Sequence, residues 1–109
     1  MTFEEKHVNA DGAAKLLEEI PAVIVLDVRT PKEYQEGHIE GARNIDFRAA
    51  NFAEQAAKLD RGATYLVHCA RGGRSTSSLK ILEELNFGTV YHLDGGLTGW
   101  VDAGHPTTR

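Results

Sequence analysis

The chain has 109 residues, 41% of them hydrophobic and 26% charged, with 11 Gly, 3 Pro and a single Cys, a composition that fits one compact domain. At this length folding buries roughly 60 to 70% of the unfolded chain's surface, enough for a modest core without disulfides, and a lone cysteine rules out an intrachain bridge, so a reducing cytoplasm is the expected setting. The formal net charge of -4, with Lys and Arg scattered apart from the pair Arg71 and Arg74, argues against a nucleic-acid surface, and the polar opening from Met1 to Ala10 and the short apolar run Ala22 to Leu26 speak against a targeting signal and a membrane span.

In chain order, a short piece near His7-Val8 reads as an edge strand, and Ala13 to Glu19 as a helix with Leu16, Leu17 and Ile20 on one side. Val23-Ile24-Val25-Leu26, ending in Asp27, is a β-branched run of the kind buried on both faces of a sheet. Thr30-Pro31-Lys32-Glu33 is a capping box with Pro at the first helical position, which predicts a short helix through Tyr34. Asn44-Ile45 suggests a second edge strand, Ala53 to Leu59 a further helix, and Thr64 to His68 a second buried strand. From Ser75 to Leu85, Leu79, Leu82 and Leu85 recur at helical spacing with Ile81 beside them, and Asn86-Phe87-Gly88 supplies the stop before a last strand, Thr89 to Leu93. No internal repeat interrupts the pattern. Strands alternating with helices imply an α/β three-layer domain around a mainly parallel sheet of about five strands, with active sites at the C-terminal strand edges.

Cys69 stands at such an edge, directly after a buried-type strand. The stretch Cys69-Ala70-Arg71-Gly72-Gly73-Arg74 must turn the chain into the strongest helix, whose first turn lies close to Ser75, and Gly72-Gly73 permits positive φ. A concave loop of inward-pointing N-H groups, backed by the positive end of the helix, would attract an anion and lower the thiol pKa from its reference of ~8.5. Arg71 and Arg74 can add charge and forked donors for an oxyanion substrate. The alternative is a small buried hydrophobe next to a tight turn; two glycines and two arginines within five residues favour the nucleophile.

The five histidines, His7, His38, His68, His92 and His105, include no pair at helical or zinc-ligand spacing, so no metal is expected. Strand alternation turns His68 to the face opposite Cys69, which makes it structural. Asp27 and Arg29 lie at another strand's C-terminal edge and are candidates to support the site through an ion pair, with packing or capping as the alternative. Trp100 reads as a core or lid aromatic.

These stretches resemble the single-domain rhodaneses, sulfurtransferases that carry sulfane sulfur as a cysteine persulfide. Leu26-Asp27-Val28-Arg29 with Thr30 to Tyr34 is similar to the family's D-x-R...E-[FY] stretch, Gly37-His38-Ile39-Glu40-Gly41-Ala42-Arg43-Asn44-Ile45 to G-H-I-x-G-A-x-N-[IL], and Gly95-Gly96-Leu97-Thr98-Gly99-Trp100 to the terminal G-G-[WFIL]-x-x-W element. The resemblance implies one rhodanese-like domain over residues 1-109, Cys69 as catalytic nucleophile, and Ala70, Arg71, Gly72, Gly73, Arg74 and Ser75 as the substrate-binding loop. It implies sulfur transfer from a donor such as thiosulfate to cyanide, a thiol or a sulfur-relay protein, with no cofactor. Two other functions compete: a non-catalytic rhodanese module for partner binding or redox sensing, and a phosphatase or arsenate reductase. In related phosphatases five residues separate the Cys and the catalytic Arg, whereas Cys69 and Arg74 enclose four, and the shorter loop suits a persulfide.

Overall fold

The computed structural model of the chain describes residues 2–109; Met1, the first residue of the polar opening stretch, lies outside the described residues. Strand and helix alternate throughout: β1 (Glu4–Val8), α1 (Ala10–Glu19), β2 (Ile24–Asp27), α2 (Pro31–Glu36), β3 (Arg43–Asn44), α3 (Phe52–Ala57), β4 (Tyr65–His68), α4 (Gly73–Glu84), β5 (Thr89–Leu93) and α5 (Gly96–Asp102). The strands form one parallel sheet in the order β1-β5-β4-β2-β3. The order sets β4 in the middle, and its four residues are all buried.

Side-chain alternation along the strands divides the core in two. Leu26, Val28, Tyr65, Val67, Cys69 and Val90 pack with Phe52 and Ala56 of α3 and Leu79 and Leu82 of α4 on one face. Val25, Leu66 and Leu93 pack with Ala13 and Leu16 of α1 and Trp100 of α5 on the other. The result is the three-layer α/β/α architecture that the alternating pattern implies. No helix among the described residues is long and apolar enough to cross a membrane.

Local chemistry explains where the elements begin and end. Asn9 caps α1 by accepting from the Gly12 amide at 2.8 Å, which starts the helix at Ala10, three residues earlier than the expected Ala13. Both halves of the predicted capping box form at α2: Glu33 N donates to Thr30 Oγ1 at 3.2 Å and Thr30 N to Glu33 Oε1 at 3.0 Å. The predicted stop of α4 is also present, with Asn86 in the left-handed region at φ 64.

Other features also differ from the sequence-based expectations. β1 runs over five residues rather than two, because Glu4, Glu5, Lys6 and His7 are the polar surface of an edge strand and carry no apolar signal. β3 is Arg43–Asn44, one residue earlier than expected. Helix α5 has no counterpart among the predicted elements: it opens on Gly95 and Gly96, at φ 82 and 61, and glycines obscure a helical pattern.

Candidate functional site

Cys69 leaves the C-terminal end of β4, and the chain then crosses to α4 through Ala70, Arg71 and Gly72. Gly72 alone takes the left-handed conformation, at φ 118; Gly73, also expected to supply positive φ, is the first residue of the helix instead. The turn aims amides back at the sulfur. Gly72 N donates to Cys69 Sγ at 3.0 Å and the Ser75 hydroxyl lies 3.3 Å from it. Cys69 is 2% exposed and borders the apolar core. Burial pushes the thiol pKa up, but the Ser75 hydroxyl and the amides of Ser75, Gly72 and Arg71 outweigh it, and the thiol sits below its ordinary value.

Helix α5 holds this loop from outside. Leu97 N donates to Cys69 O at 2.9 Å and Thr98 N to Ala70 O at 3.0 Å. Such an approach leaves no space for a side chain at Gly96, where a Cβ would fall 2.5 Å from both the carbonyl carbon and oxygen of Ala70. The terminal glycine pair thus lets one helix N-terminus press against the loop that bends toward the sulfur.

The two arginines of the loop have different fates. Arg74 forks onto Glu33, with Nη1 to Oε1 at 2.7 Å and Nη2 to Oε2 at 3.0 Å, so the donors expected to face an oxyanion are engaged within the fold. That fork draws the Glu33 carboxyl down to about 2. Arg71 is exposed. Asp27 and Arg29 do pair: Arg29 Nη2 reaches Asp27 Oδ2 at 2.7 Å, Nε reaches Oδ1 at 3.0 Å, and both residues are buried. The same Nη2 donates to Gly37 O at 2.7 Å, tying β2 to the end of α2. Arg29, Ala70, Leu97, Thr98, Val101 and Asp102 line a groove of about 300 Å³ beside the loop.

Behind the sulfur lies a polar chain that spacing along the sequence does not show. Ser75 Oγ is 2.8 Å from His92 Nε2, Thr76 Oγ1 is 3.3 Å from the same nitrogen, and His92 Nδ1 is 2.7 Å from Asp94 Oδ1. Asp94 also meets His7 Nδ1 at 2.9 Å, and His7 Nε2 meets Glu5 at 2.7 Å. Sheet order assembles these groups, since β5 lies between β1 and β4 and His92 is in register with His7 on one side and Val67 on the other. The rule that sets Cys69 at a strand's C-terminal edge also applies to Asp94, which follows β5. His7, His92 and Asp94 bring donor atoms within 4.8 Å of one another. Two of those contacts are hydrogen bonds to a single carboxylate oxygen, and both imidazoles hold protons where a cation would require lone pairs.

His68 faces away from Cys69, as strand alternation requires, and its Nδ1 donates to Cys69 O at 2.9 Å. Trp100 is 4% exposed in the core, with Nε1 donating to Pro106 O at 2.8 Å.

The family profile described as rhodanese-like domain matches residues 9–103. Among curated proteins, the chain is 37% identical over 98 residues to the thiosulfate sulfurtransferase GlpE of Pseudomonas putida, covering 89% of this chain and 86% of that protein. It is 34% identical over 82 residues to the probable adenylyltransferase/sulfurtransferase MoeZ of Mycobacterium tuberculosis, covering 75% of this chain but 21% of that protein, so it spans about a fifth of that relative's length. A rhodanese-related protein from Thermoplasma volcanium superposes with a TM-score of 0.81 at 33% identity, over 94% of this chain and 97% of that one. A rhodanese-like domain from Anabaena gives 0.83 at 29% identity, over 94% and 77%. The extent of the profile match, the near full-length similarity and the shared architecture agree that the chain belongs to the rhodanese-like domain family.

Proposed function

We propose that the protein is a sulfurtransferase that carries sulfane sulfur as a persulfide on Cys69, from a donor such as thiosulfate to a thiol or cyanide acceptor. The observation that carries this reading is the polar cradle on an otherwise buried sulfur: the Gly72 amide at 3.0 Å and the Ser75 hydroxyl at 3.3 Å. A structural cysteine has no use for donors that favour its anion. The relatives named thiosulfate sulfurtransferase support the same chemistry.

In the first half-reaction the Cys69 thiolate attacks the outer sulfur of thiosulfate. A new S–S bond forms, and sulfite departs with the electron pair of the donor's own S–S bond. The remaining Cys69–S–S⁻ is stabilised by fixed amides at the mouth of α4, a positive helix end that needs no reorganisation. In the second half-reaction the acceptor attacks the outer sulfur and Cys69 leaves as thiolate. This is covalent ping-pong transfer and requires neither metal nor organic cofactor. With Arg74 held by Glu33, exposed Arg71 is the cation that receives the donor's sulfonate. A small-molecule donor, a thiol acceptor or relay protein, and a cytoplasmic setting complete the proposal.

Intact mass after thiosulfate exposure tests it: the expected gain is about 32 Da, one sulfur atom, on the wild type and none on Cys69→Ser. Thiosulfate:cyanide turnover retained by Cys69→Ser would overturn the assignment. A second reading, a partner-binding or redox-sensing module, draws on the 2% exposure of Cys69 and predicts no sulfur adduct.

A further inference from the structure

Three acceptors compete for a single proton at the base of the sulfur. The Ser75 hydroxyl has one hydrogen and stands 2.8 Å from His92 Nε2, 3.2 Å from Gly72 O and 3.3 Å from Cys69 Sγ. Asp94 accepts from His92 Nδ1, which assigns the proton of a neutral ring to that nitrogen and leaves Nε2 as a bare lone pair. The Thr76 hydroxyl converging on Nε2 fits that tautomer. A base is therefore one hydroxyl away from the thiol.

We propose that Ser75, His92 and Asp94 form a proton relay that ionises Cys69. The Cys69 S–H proton passes to Ser75 Oγ while the hydrogen that Ser75 carried passes to His92 Nε2. One S–H and one O–H bond break, one O–H and one N–H bond form, and the products are a thiolate and an imidazolium. The direction of the hydrogen bonds then reverses: His92 Nε2–H donates to Ser75 Oγ, and Ser75 Oγ–H donates to the sulfur anion. Ser75, in contact with the reacting atom, is a catalytic residue; His92 and Asp94 act through it and are positioning residues.

The surroundings fit a ring that accepts charge. The groups facing His92 are Asp94 on its own strand, His7 from β1, and Ser75 and Thr76 from α4, with Cys69 beyond Ser75 and Glu5 beyond His7, while the His68 ring of β4 lies on the other face of the sheet. The Asp94 carboxyl is held below its ordinary value: burial works against this, and the bonds from His7 and His92 overcome it. An ionised carboxylate at 2.7 Å steadies an imidazolium formed on His92.

The proposal rests on Cys69 being the sulfur carrier, and its test separates the two. The protonation midpoint of His92 is read from its ring nitrogens by NMR in the wild type and in Cys69→Ala. Loss of the partner anion is expected to lower that midpoint by about one pH unit or more, and an unchanged midpoint overturns the relay. Alkylation of Cys69 against pH gives the reciprocal reading. His92→Gln and, should that buried change unfold the chain, Asp94→Asn on a half-exposed side chain are expected to raise the thiolate midpoint by a similar amount; profiles that overlay the wild type overturn the relay. Intact mass on the same samples reads the sulfur adduct. Adduct without coupled midpoints removes the relay and keeps the carrier, whereas coupled midpoints without adduct do the reverse.

Discussion

His68 and His92 flank the same cysteine, one as its neighbour in sequence and the other as its neighbour through Ser75, and their environments are opposite. His68 is fully buried, its Nδ1 donates to Cys69 O, and its Nε2 has no hydrogen-bond partner among the described residues. Asp27 lies 3.7 Å from that nitrogen, but its oxygens already serve Arg29. His92 has both nitrogens engaged, one by Asp94 and one by the Ser75 and Thr76 hydroxyls, and the chain continues to the surface through His7. Burial lowers the His68 pKa, whereas the hydrogen bonds that His7 donates to Asp94 and Glu5 raise its own. Charge on the β2 side is locked into the frame, and charge on the β5 side is positioned to move.

The largest effect is expected where the frame is cut. Arg29→Ala strands Asp27, which is fully buried, without its forked partner, and should destabilise the fold by about 3–5 kcal/mol in urea unfolding. The pH profile of Cys69 alkylation should stay in place, because the pair does not touch the sulfur. A shift as large as that of a Ser75 variant would mean that the two sides are not independent. Ser75→Ala should have the converse signature. It removes the hydroxyl at 3.3 Å from Sγ and should raise the thiolate midpoint by about one pH unit, worth ~1.4 kcal/mol, with a stability loss of about 1 kcal/mol.

The same contrast explains what the sequence discloses. The buried runs ending in Leu26 and His68, the Thr30-Glu33 box and the leucines of α4 are local patterns, legible because each element states its own period. Strand alternation likewise foretells that His68 points away from Cys69. The partnership of Ser75 with His92 spans seventeen residues and depends on β5 lying beside β4, a fact of sheet order that no local period encodes. Arg74 illustrates the limit from the other side: its place beside Cys69 suggests a substrate ligand, while Glu33, forty-one residues earlier, takes up its fork.

That fork supplies the next effect in size. Glu33 has a folded pKa of about 2 against an ordinary 4.5, so the pair stabilises the protein fully above pH 4.5 and loses its contribution as pH falls toward 2. Glu33 is about a third exposed, and solvent screening should hold the contribution to ~0.5–1 kcal/mol. The Tm gap between wild type and Glu33→Gln is therefore expected at neutral pH and should close near pH 2; a gap independent of pH would assign it to packing instead.

The smallest effect should come from the more deeply buried histidine. In neutral His68 the proton is on Nδ1, the nitrogen that donates to Cys69 O, so Nε2 presents a lone pair to the Asp27 carboxylate and cannot bond to it. His68→Leu removes one hydrogen bond of about 1 kcal/mol and also removes an unsatisfied buried nitrogen whose desolvation costs about 1–3 kcal/mol. Cys69 O keeps its second donor, Leu97 N at 2.9 Å, so the loop retains its anchor. The opposing contributions should leave unfolding free energy within ~1 kcal/mol of wild type, or slightly above it, in urea titration. A loss well beyond that would show that Nε2 carries a proton toward Asp27 after all, and the two histidines would then differ in degree rather than in kind.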